Sequence, residues 1–435
     1  MAGHTRCSPG RNIMFQALRQ RFILEADDAC SLVKRTFDAH PSPNFAVQLW
    51  DGQEVRWTEP TEFTIGFKDA EAFRRCFATR DPADFAEAYV DGRLSIEGDL
   101  WAATGLSSYL REINVGLRDR LRFMPKLLVR ASPHTPERDG QDVRAHYDLS
   151  DEFFRLFLDE KMVYSCAYFA HPEQSLEQAQ ERKLELICRK LALRPGEAFL
   201  DVGCGWGALV IWAAQHHGVR AHGITLSENQ AAEARRRVAL AGLSDRVTIE
   251  LRHHTELPRD AFDKISSVGM CEHVGAAKLP AYLRTIHRAL RPGGLFLNHG
   301  ITEPPSSRGS TGGGFIFKHV FPGAELAAVG QLQAEMEAVG FEIADVQGLR
   351  RHYALTLREW FRRFRQQREQ AGRLVSDKVL RIWDLYLAGC ARAFDDGVVS
   401  VHQVLAAKPD AQGRTRAHFT REATTLAAAN FTEQA

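Results

Sequence analysis

The sequence has no excess of either charge, no paired cysteine motifs and no long apolar runs. Each of these absences excludes a class of protein. Its 56 Lys and Arg residues balance 55 Asp and Glu residues, so charge gives no basis for nucleic-acid binding. None of the eight cysteines forms a C-x-x-C pair, which predicts reduced thiols in a cytoplasm. The histidines include the adjacent pairs 216–217 and 253–254, whose side chains do not converge easily on one metal, so we predict no metal site. No window reaches the length of a transmembrane helix, so we expect any membrane contact to be peripheral.

What the sequence does contain is a glycine-rich turn between two apolar runs. Residues 198–202 predict a short strand, a helical segment follows, and Gly203, Gly205 and Gly207 lie between them, directly after Asp201. Such a turn lets a ligand approach the backbone and leaves the N–H groups of the helix N-terminus free. Tight packing of a strand on a core helix would also produce these glycines, so the pattern alone leaves both interpretations open.

From about residue 197 onward, short apolar strands alternate with helical segments. This alternation predicts an α/β fold with a doubly wound, mostly parallel sheet, and such sheets bind ligands at the carboxyl ends of their strands. The predicted strands are 198–202, 219–224, 246–251, 264–270 and 295–301, and the predicted helices are 208–217, 228–241 and 279–290.

The spacing of the glycines favours one cofactor over another. A nicotinamide-binding turn is expected to read G-x-G-x-x-G, with an acidic residue ending the next strand. Here the turn reads D-x-G-x-G-x-G, and the second strand is followed by Thr225, Ser227 and Gln230. We therefore predict S-adenosylmethionine as cofactor and a class I methyltransferase, or Rossmann-like, fold.

The chain divides into four predicted regions. Residues 12–116 predict a smaller α+β domain, a candidate lipid-binding module, with strands joined by a hairpin at Asp51–Gly52. A basic amphipathic segment and linker cover 117–140, the catalytic domain covers 141–408, and a tail covers 409–435. The basic segment is interpreted either as a contact for anionic lipid or as a helix packed on its neighbour. Its charges are Arg118, Arg120, Arg122, Lys126 and Arg130.

Seven segments, in this order, resemble the cyclopropane-fatty-acyl-phospholipid synthase family. They are VRAHYDLSDEFFRLFLDEKMVYSCAYF, QERKLELICRKL, LDVGCGWG, GITLSENQ, VGMCEHVG, YLAGCARAF and VHQVLAAKP. The resemblance covers nearly all of residues 141–408. It implies that a methyl group from S-adenosylmethionine is added to the cis double bond of an unsaturated phospholipid acyl chain, which yields a methylene bridge.

This chemistry needs a base and a dry site, and the resemblance implies which residues provide them. Methyl transfer leaves a carbocation that water would quench and that aromatic faces can stabilise. The resemblance implies that bound bicarbonate is the base, held by Cys166, Glu272, His299, Ile301 and Tyr353. Cys390 is a candidate nucleophile in the family, although this chemistry needs no covalent enzyme intermediate. Taken singly, Glu272 could cap a helix, and Tyr353 and Cys166 could be core residues.

The resemblance also implies the cofactor contacts. They are Tyr164, Ser165, Asp201, Gly203, Cys204, Gly205, Gly207, Thr225, Leu226, Ser227, Gln230 and His254. The chain departs from the family pattern at His253–His254, Cys271, Phe317 and His319.

These departures keep two alternatives open. One is the same chemistry ending in a methyl-branched or methylene fatty acid, and the other is a non-catalytic lipid-binding protein. For the leading prediction we expect a cytoplasmic enzyme at the inner face of the membrane. The oligomeric state stays open, with a homodimer as one candidate.

Overall fold

The structure, a computed structural model, describes residues 24–112, 149–305, 313–321 and 324–421. The described chain divides into two compact units. The first comprises residues 24–112 with 313–315 and 377–385, and the second contains the other described residues. The basic segment predicted at 117–140 lies outside the described residues, so the proposed lipid contact there stays a prediction.

The first unit contains a small mixed sheet. Its strand order is β2-β1-β3-β4, with β1 antiparallel to β2 and parallel to β3. The predicted hairpin is confirmed: Gly52 has φ of 92° and donates its N–H to the Leu49 carbonyl at 3.0 Å. The strands are β1 (Phe45–Gln48), β2 (Glu54–Arg56), β3 (Phe63–Phe67) and β4 (Leu94–Gly98).

Helices with acidic N-caps surround this sheet. Asp69 accepts from Ala72 N at 2.8 Å, Asp81 from Ala83 N at 2.9 Å and Asp99 from Trp101 N at 2.8 Å, which satisfies first-turn donors. Aromatic rings fill the core, with Phe73 stacked on Phe77 at 4.2 Å. The helices are α1 (Ala26–Phe37), α2 (Ala70–Thr79), α3 (Pro82–Val90), α4 (Leu100–Thr104) and α5 (Leu106–Glu112).

The second unit contains a seven-stranded sheet of order β10-β11-β9-β8-β5-β6-β7. Strands β5 to β9 pair in parallel, and β11 is antiparallel to both of its neighbours. This confirms the predicted doubly wound, mostly parallel sheet. The strands are β5 (Ala198–Val202), β6 (Arg220–Thr225), β7 (Val247–Leu251), β8 (Phe262–Val268), β9 (Leu290–Thr302), β10 (Glu342–Gly348) and β11 (Ser400–Ala407).

Two predicted strand bounds are wrong for identifiable reasons. Strand β8 ends at Val268 instead of 270, because Gly269 adopts φ of 69° and turns the chain away. Strand β9 begins at Leu290, so the LRPGG segment lies inside the strand and not before it. Leu290 pairs with Phe262, and Gly293 N donates to the Lys408 carbonyl at 2.7 Å, which holds this glycine-containing start in the sheet.

Helices cover both faces of this sheet, and the sheet separates two apolar cores. One core involves helices α7, α8 and α9, and the other involves α11 and α13. The helices are α6 (Asp151–Arg155), α7 (Leu176–Lys190), α8 (Ala208–His217), α9 (Glu228–Leu240), α10 (Cys271–Val274), α11 (Leu279–Ala289), α12 (Gly313–His319), α13 (Val329–Ala338), α14 (Arg350–Gln366), α15 (Arg368–Leu374) and α16 (Asp377–Asp395).

Candidate active site

The three glycines of the turn serve different purposes. All have positive φ, of 79°, 52° and 83° for Gly203, Gly205 and Gly207. A Cβ on Gly203 would lie 2.6 Å from the Met270 side chain, and one on Gly207 would lie 3.2 Å from Ala234 Cβ. A Cβ on Gly205 would meet nothing within 4 Å. Gly203 and Gly207 therefore allow close packing, as one interpretation expects. Gly205 borders open space, which leaves room for the ligand of the other interpretation.

The turn is held against strand β6 by backbone bonds. The N–H groups of Gly203 and Cys204 both donate to the Ile224 carbonyl, at 2.9 and 3.0 Å. Asp201, 3% exposed, accepts from Ser266 Oγ at 2.6 Å, and burial raises its pKa to about 6. Hydrogen bonds therefore hold the carboxyl end of β5 in place, and this strand end carries one buried carboxyl group.

The predicted contacts after β6 form a capped helix start. Ser227 Oγ accepts from Gln230 N at 3.3 Å, which caps α9. Thr225 Oγ1 donates to Gln230 Oε1 at 3.0 Å and accepts from Ser227 N at 3.2 Å. Leu226 between them is 66% exposed, a large apolar side chain at the strand ends. These four residues meet at the same edge as the glycine turn.

His254 lies just past β7, at the next strand end. Its ring packs edge-on against Tyr282 at 5.0 Å, and burial lowers its pKa to about 4. The ring is therefore neutral at pH 7. His253 packs on it at 4.1 Å and caps the short helical turn that follows. A neutral ring and the nearby exposed Leu251 give this strand end an apolar surface.

Tyr164, Ser165 and Cys166 lie in an irregular segment, residues 159–169, that we call the strap. Many of its backbone groups are paired with side chains, and none of those described here is paired with a strand. Asp159 accepts from Val163 N at 2.8 Å, and Gln180 Nε2 donates to the Ser165 carbonyl at 2.9 Å. Further along, Thr356 Oγ1 accepts from Ala167 N at 3.0 Å. Side chains from the strap itself, from α7 and from α14 thus replace the ladder that a strand would provide.

Tyr164 stands in a group of aromatic rings. Its hydroxyl donates to Tyr386 Oη at 3.0 Å, and its ring lies 5.3 Å from both Trp360 and Phe154. Trp360 is fully buried, so it belongs to the apolar wall of this group. The rings present apolar faces with few polar atoms.

Glu272 is a buried carboxyl in the short helix after β8. It is 8% exposed, and burial raises its pKa to about 7. Its Oε1 accepts from Ile301 N at 2.7 Å, whereas its Oε2 has no partner among the described residues. The structure therefore brings Glu272 and Ile301 together, as the resemblance implies, and leaves one carboxyl oxygen available.

Tyr353 connects several of the predicted residues. Burial raises the pKa of its hydroxyl well above the usual range, with Cys166, Tyr164, Glu272 and Cys390 as further electrostatic causes. The Tyr353 hydroxyl therefore lies within electrostatic range of these four groups. Burial also raises the pKa of Cys390 to about 12 and that of Cys166 above its usual range. Both thiols are thus protonated at neutral pH, which argues against Cys390 as a nucleophile.

His299 faces a different neighbour. It is 2% exposed, burial lowers its pKa to about 3, and Gln403 Nε2 lies 3.2 Å from its Nδ1. Its Nε2 has no partner within the described ranges, and no hydrogen bond there joins it to Glu272. The two are linked through β9, because Glu272 accepts from the N–H two residues after His299.

Sequence reasoning missed Asn298 and Gln403. A Cβ on Gly300 would lie 3.3 Å from Asn298 Nδ2 and 3.6 Å from Glu272 Oε2, so these two atoms border the same space. Neither has a partner in the described part of the chain. Cys271 Sγ donates to Asn298 Oδ1 at 2.7 Å. A polar residue within an otherwise apolar buried strand was the signal available in the sequence.

Comparison with known proteins shows the family. The model of the mycolic acid cyclopropane synthetase family matches residues 134–404. The chain belongs to this family. It is 40% identical over 382 residues to the "Probable fatty acid methyltransferase" of Pseudomonas putida, which covers 86% of this chain and 95% of that protein. It is 38% identical over 275 residues to cyclopropane mycolic acid synthase 1 of Mycobacterium tuberculosis, covering 60% of this chain and 95% of that protein.

Solved structures of synthetases from the family share the fold. A mycolic acid cyclopropane synthase complexed with SAH and CTAB is 36% identical, with a TM-score of 0.58, and covers 63% of this chain and 99% of that chain. A cyclopropane synthase from Mycobacterium tuberculosis is 34% identical, also with a TM-score of 0.58, over 62% of this chain and 98% of that one. The predicted class I methyltransferase fold is confirmed. In the part of the chain that the structure describes, no helix has the length and apolarity to cross a membrane.

Proposed function

We propose that this protein transfers the methyl group of S-adenosylmethionine to the cis double bond of an unsaturated phospholipid acyl chain and closes a cyclopropane ring. One observation carries the proposal. Glu272, a buried carboxyl whose Oε2 has no partner among the described residues, follows β8 and accepts from Ile301 N at the end of β9, at the sheet edge where Gly205 borders open space. A methyl donor and a proton-removing group would meet at that edge.

The residues present fit S-adenosylmethionine. Open space over Gly205 would admit the cofactor's approach to the backbone, and the helix N-terminus after Gly207 offers free N–H groups. The apolar surface at His254 and Leu226 suits an adenine ring. Bound S-adenosylmethionine would supply the methyl group and, as a sulfonium, the driving force for transfer to a weakly nucleophilic alkene.

The aromatic residues suit a cationic acyl chain. Tyr164, Trp360 and Tyr353 present ring faces that attract positive charge without forming a bond to it. Trp360 and Tyr353 are buried, and this burial excludes water, which would otherwise add to the carbocation. Ring closure then needs the loss of one proton from the transferred methyl group, and the electrons of that C–H bond form the new C–C bond.

The residues around Glu272 fit a small oxyanion such as bicarbonate. Glu272 Oε2 and Asn298 Nδ2 border the same space without partners in the described chain, so one acceptor and one donor are available. Because burial raises the pKa of Glu272 to about 7, this carboxyl can share a proton with an anion instead of repelling it. Bound bicarbonate would supply the base. Glu272 and Asn298 would hold it, and the Ile301 N–H, which donates to Glu272, would position that carboxyl.

A second product is favoured by a specific observation. Cys271, directly before Glu272, bonds Asn298 at 2.7 Å beside the proposed base, so proton removal there need not follow the family pattern. The relative named "Probable fatty acid methyltransferase" supports a methyl-branched or methylene product equally well. The proposed substrate requires peripheral contact with the inner face of a membrane in the cytoplasm.

Expression in a host rich in unsaturated phospholipids distinguishes these products. A cyclopropane ring and a methylene-bearing chain of equal mass differ in fragmentation and in proton NMR. Cyclopropane protons in the extracted fatty acids would support the leading proposal, and a methyl-branched or methylene chain would support the second. Unchanged fatty acids, together with no binding of S-adenosylhomocysteine by calorimetry, would contradict both and favour a lipid-binding protein.

Glu272→Gln tests the role of the carboxyl. Gln keeps the acceptor for Ile301 N, so we expect turnover to fall at least about 100-fold while S-adenosylhomocysteine affinity stays within about twofold. Equal loss of both would indicate a structural role.

Stability provides an independent readout for the same variant. A folded-state pKa near 7 exceeds the ordinary value of 4.5, so the folded protein binds more protons between these values and its stability falls as pH rises. Gln removes this dependence. We expect the variant to be more stable than the wild type by about 3 kcal/mol at pH 8 and no more stable at pH 4.

A further inference from the structure

Helix α7 carries a buried lysine whose ammonium reaches the strap. Lys183 is 2% exposed, and its Nζ donates to Ser165 Oγ at 2.9 Å. Within the described ranges, no carboxylate oxygen lies within ion-pairing distance of this ammonium. Asp159 and Asp201 act on it from farther away, and burial lowers its pKa to about 8. A buried cation without a paired carboxylate is costly and suggests a function for its position.

Gln180 contacts the same segment from one turn earlier on α7. It is fully buried, and its Nε2 donates to the carbonyls of Ser165 at 2.9 Å and Val163 at 3.3 Å. Residues three apart lie on the same face of a helix. One face of α7 therefore holds Ser165 at its carbonyl and at its hydroxyl together.

We propose that Gln180 and Lys183 are positioning residues for the cofactor, acting through Ser165. An ammonium has donors and no acceptor, so Ser165 Oγ must accept from Lys183. The hydroxyl hydrogen of Ser165 is then directed away from Lys183 and is available to a ligand acceptor. The carboxylate of the methionine group is the strongest such acceptor that the cofactor offers. This inference rests on the proposed function, in which Ser165 contacts S-adenosylmethionine.

A second buried lysine in the same unit provides a matched control. Lys264 is 1% exposed, and burial lowers its pKa to about 8 as well. Its Nζ donates to the Leu191 carbonyl at 2.6 Å, at the end of α7 and away from the strap. The two lysines therefore share burial, charge and one strong hydrogen bond, and differ in what that bond holds.

Lys183→Met and Lys264→Met separate positioning from general stability. The measurements are S-adenosylhomocysteine affinity by calorimetry and unfolding by denaturant, both on the full chain. We expect both variants to lose stability. Only Lys183→Met should bind S-adenosylhomocysteine about 10- to 100-fold more weakly, while Lys264→Met stays within about twofold. Wild-type affinity in Lys183→Met, or an equal loss in both variants, would overturn the inference.

A double-mutant cycle with Ser165→Ala tests whether Lys183 acts through Ser165. If it does, the double variant binds no more weakly than the weaker single variant, because both changes remove one interaction. Losses that multiply would overturn the proposed route. Lys183→Arg retains a cationic donor and should recover part of the affinity, which a purely steric role would not allow.

Gln180→Met keeps the inference testable if Lys183→Met does not fold. It removes the two bonds to the strap carbonyls and leaves the charge of Lys183 in place, so we expect about 3- to 10-fold weaker S-adenosylhomocysteine binding. Unchanged affinity in this variant counts against the inference. Failure of the wild type to bind S-adenosylhomocysteine would instead overturn the proposed function itself, so the two failures are distinct.

Discussion

The glycine turn and the strap are the two sides of the candidate cofactor site, and they are held in opposite ways. The turn is fixed by backbone bonds to the neighbouring strand, such as Gly203 N to the Ile224 carbonyl at 2.9 Å. The strap is fixed by side chains that are distant in sequence, such as Thr356, 189 positions from its partner Ala167. Geometry that depends on local backbone rules tolerates most side-chain changes, whereas geometry built on a few buried side chains is lost with any one of them.

The largest effect on cofactor binding is expected from a substitution in the glycine turn. Gly205→Val places a side chain in the open space where the cofactor would lie, so we expect S-adenosylhomocysteine affinity to fall at least about 100-fold, equivalent to about 2.7 kcal/mol. Calorimetry on the folded variant measures this loss.

The control for that variant is Gly242→Val. Gly242 has φ of 68° and nothing within 4 Å of an added Cβ, so it reproduces the backbone strain of about 1–2 kcal/mol away from the site. Both variants should lose similar stability, and only Gly205→Val should lose binding. Equal affinities in the two variants would remove the cofactor from this turn.

An intermediate effect is expected on the strap side. Thr356→Val conserves shape but leaves the buried N–H of Ala167 without its acceptor, which costs about 1–3 kcal/mol in unfolding free energy. Denaturant unfolding measures this loss, and we also expect weaker S-adenosylhomocysteine binding because the strap carries Ser165.

Thr285→Val is the matched comparison for Thr356. Thr285 Oγ1 donates to the Ala281 carbonyl, four residues earlier, just as Thr356 Oγ1 donates to the His352 carbonyl. Both threonines lie in the second unit, but no strap residue donates to Thr285. We expect its stability change to stay within about 0.5 kcal/mol. If the two valine variants behave alike, the strap is not held by Thr356.

The smallest effect is expected from loss of the N-cap of α9, which tests whether local contacts hold the turn side of the site. Ser227→Ala removes the cap of α9 and should cost about 1 kcal/mol of stability, whereas Ser227→Gly, which keeps the N-cap backbone preference, should cost a few tenths. Thermal unfolding distinguishes the two. A loss as large in the glycine variant would mean that Ser227 stabilises the edge through another contact.

Local signals in the sequence predicted much of the second unit. Strand 198–202 and helix 208–217 have the predicted bounds, because an apolar run, three glycines and a second apolar run determine a strand, a turn and a helix by short-range rules. The Glu272 and Ile301 pair was named from the family resemblance, and the hydrogen bond between them agrees with it. The start of β9 was missed because a Pro-Gly-Gly segment is typical of a turn and only its pairing with β8 and Lys408 makes it a strand.

The sequence by itself determined the order of β5 to β9 and of the three helices predicted among them, the glycine turn and the edge of the sheet where the site lies, since these depend on residues near one another in the chain. Only the tertiary structure decided what holds the strap and which side chains are buried without partners. In the sequence alone, nothing distinguishes Lys183, Gln180 and Gln403 from other polar residues of helices and strands. Their importance arises because folding removes them from water, and a buried donor or acceptor must then find a partner from a distant part of the chain or wait for a ligand.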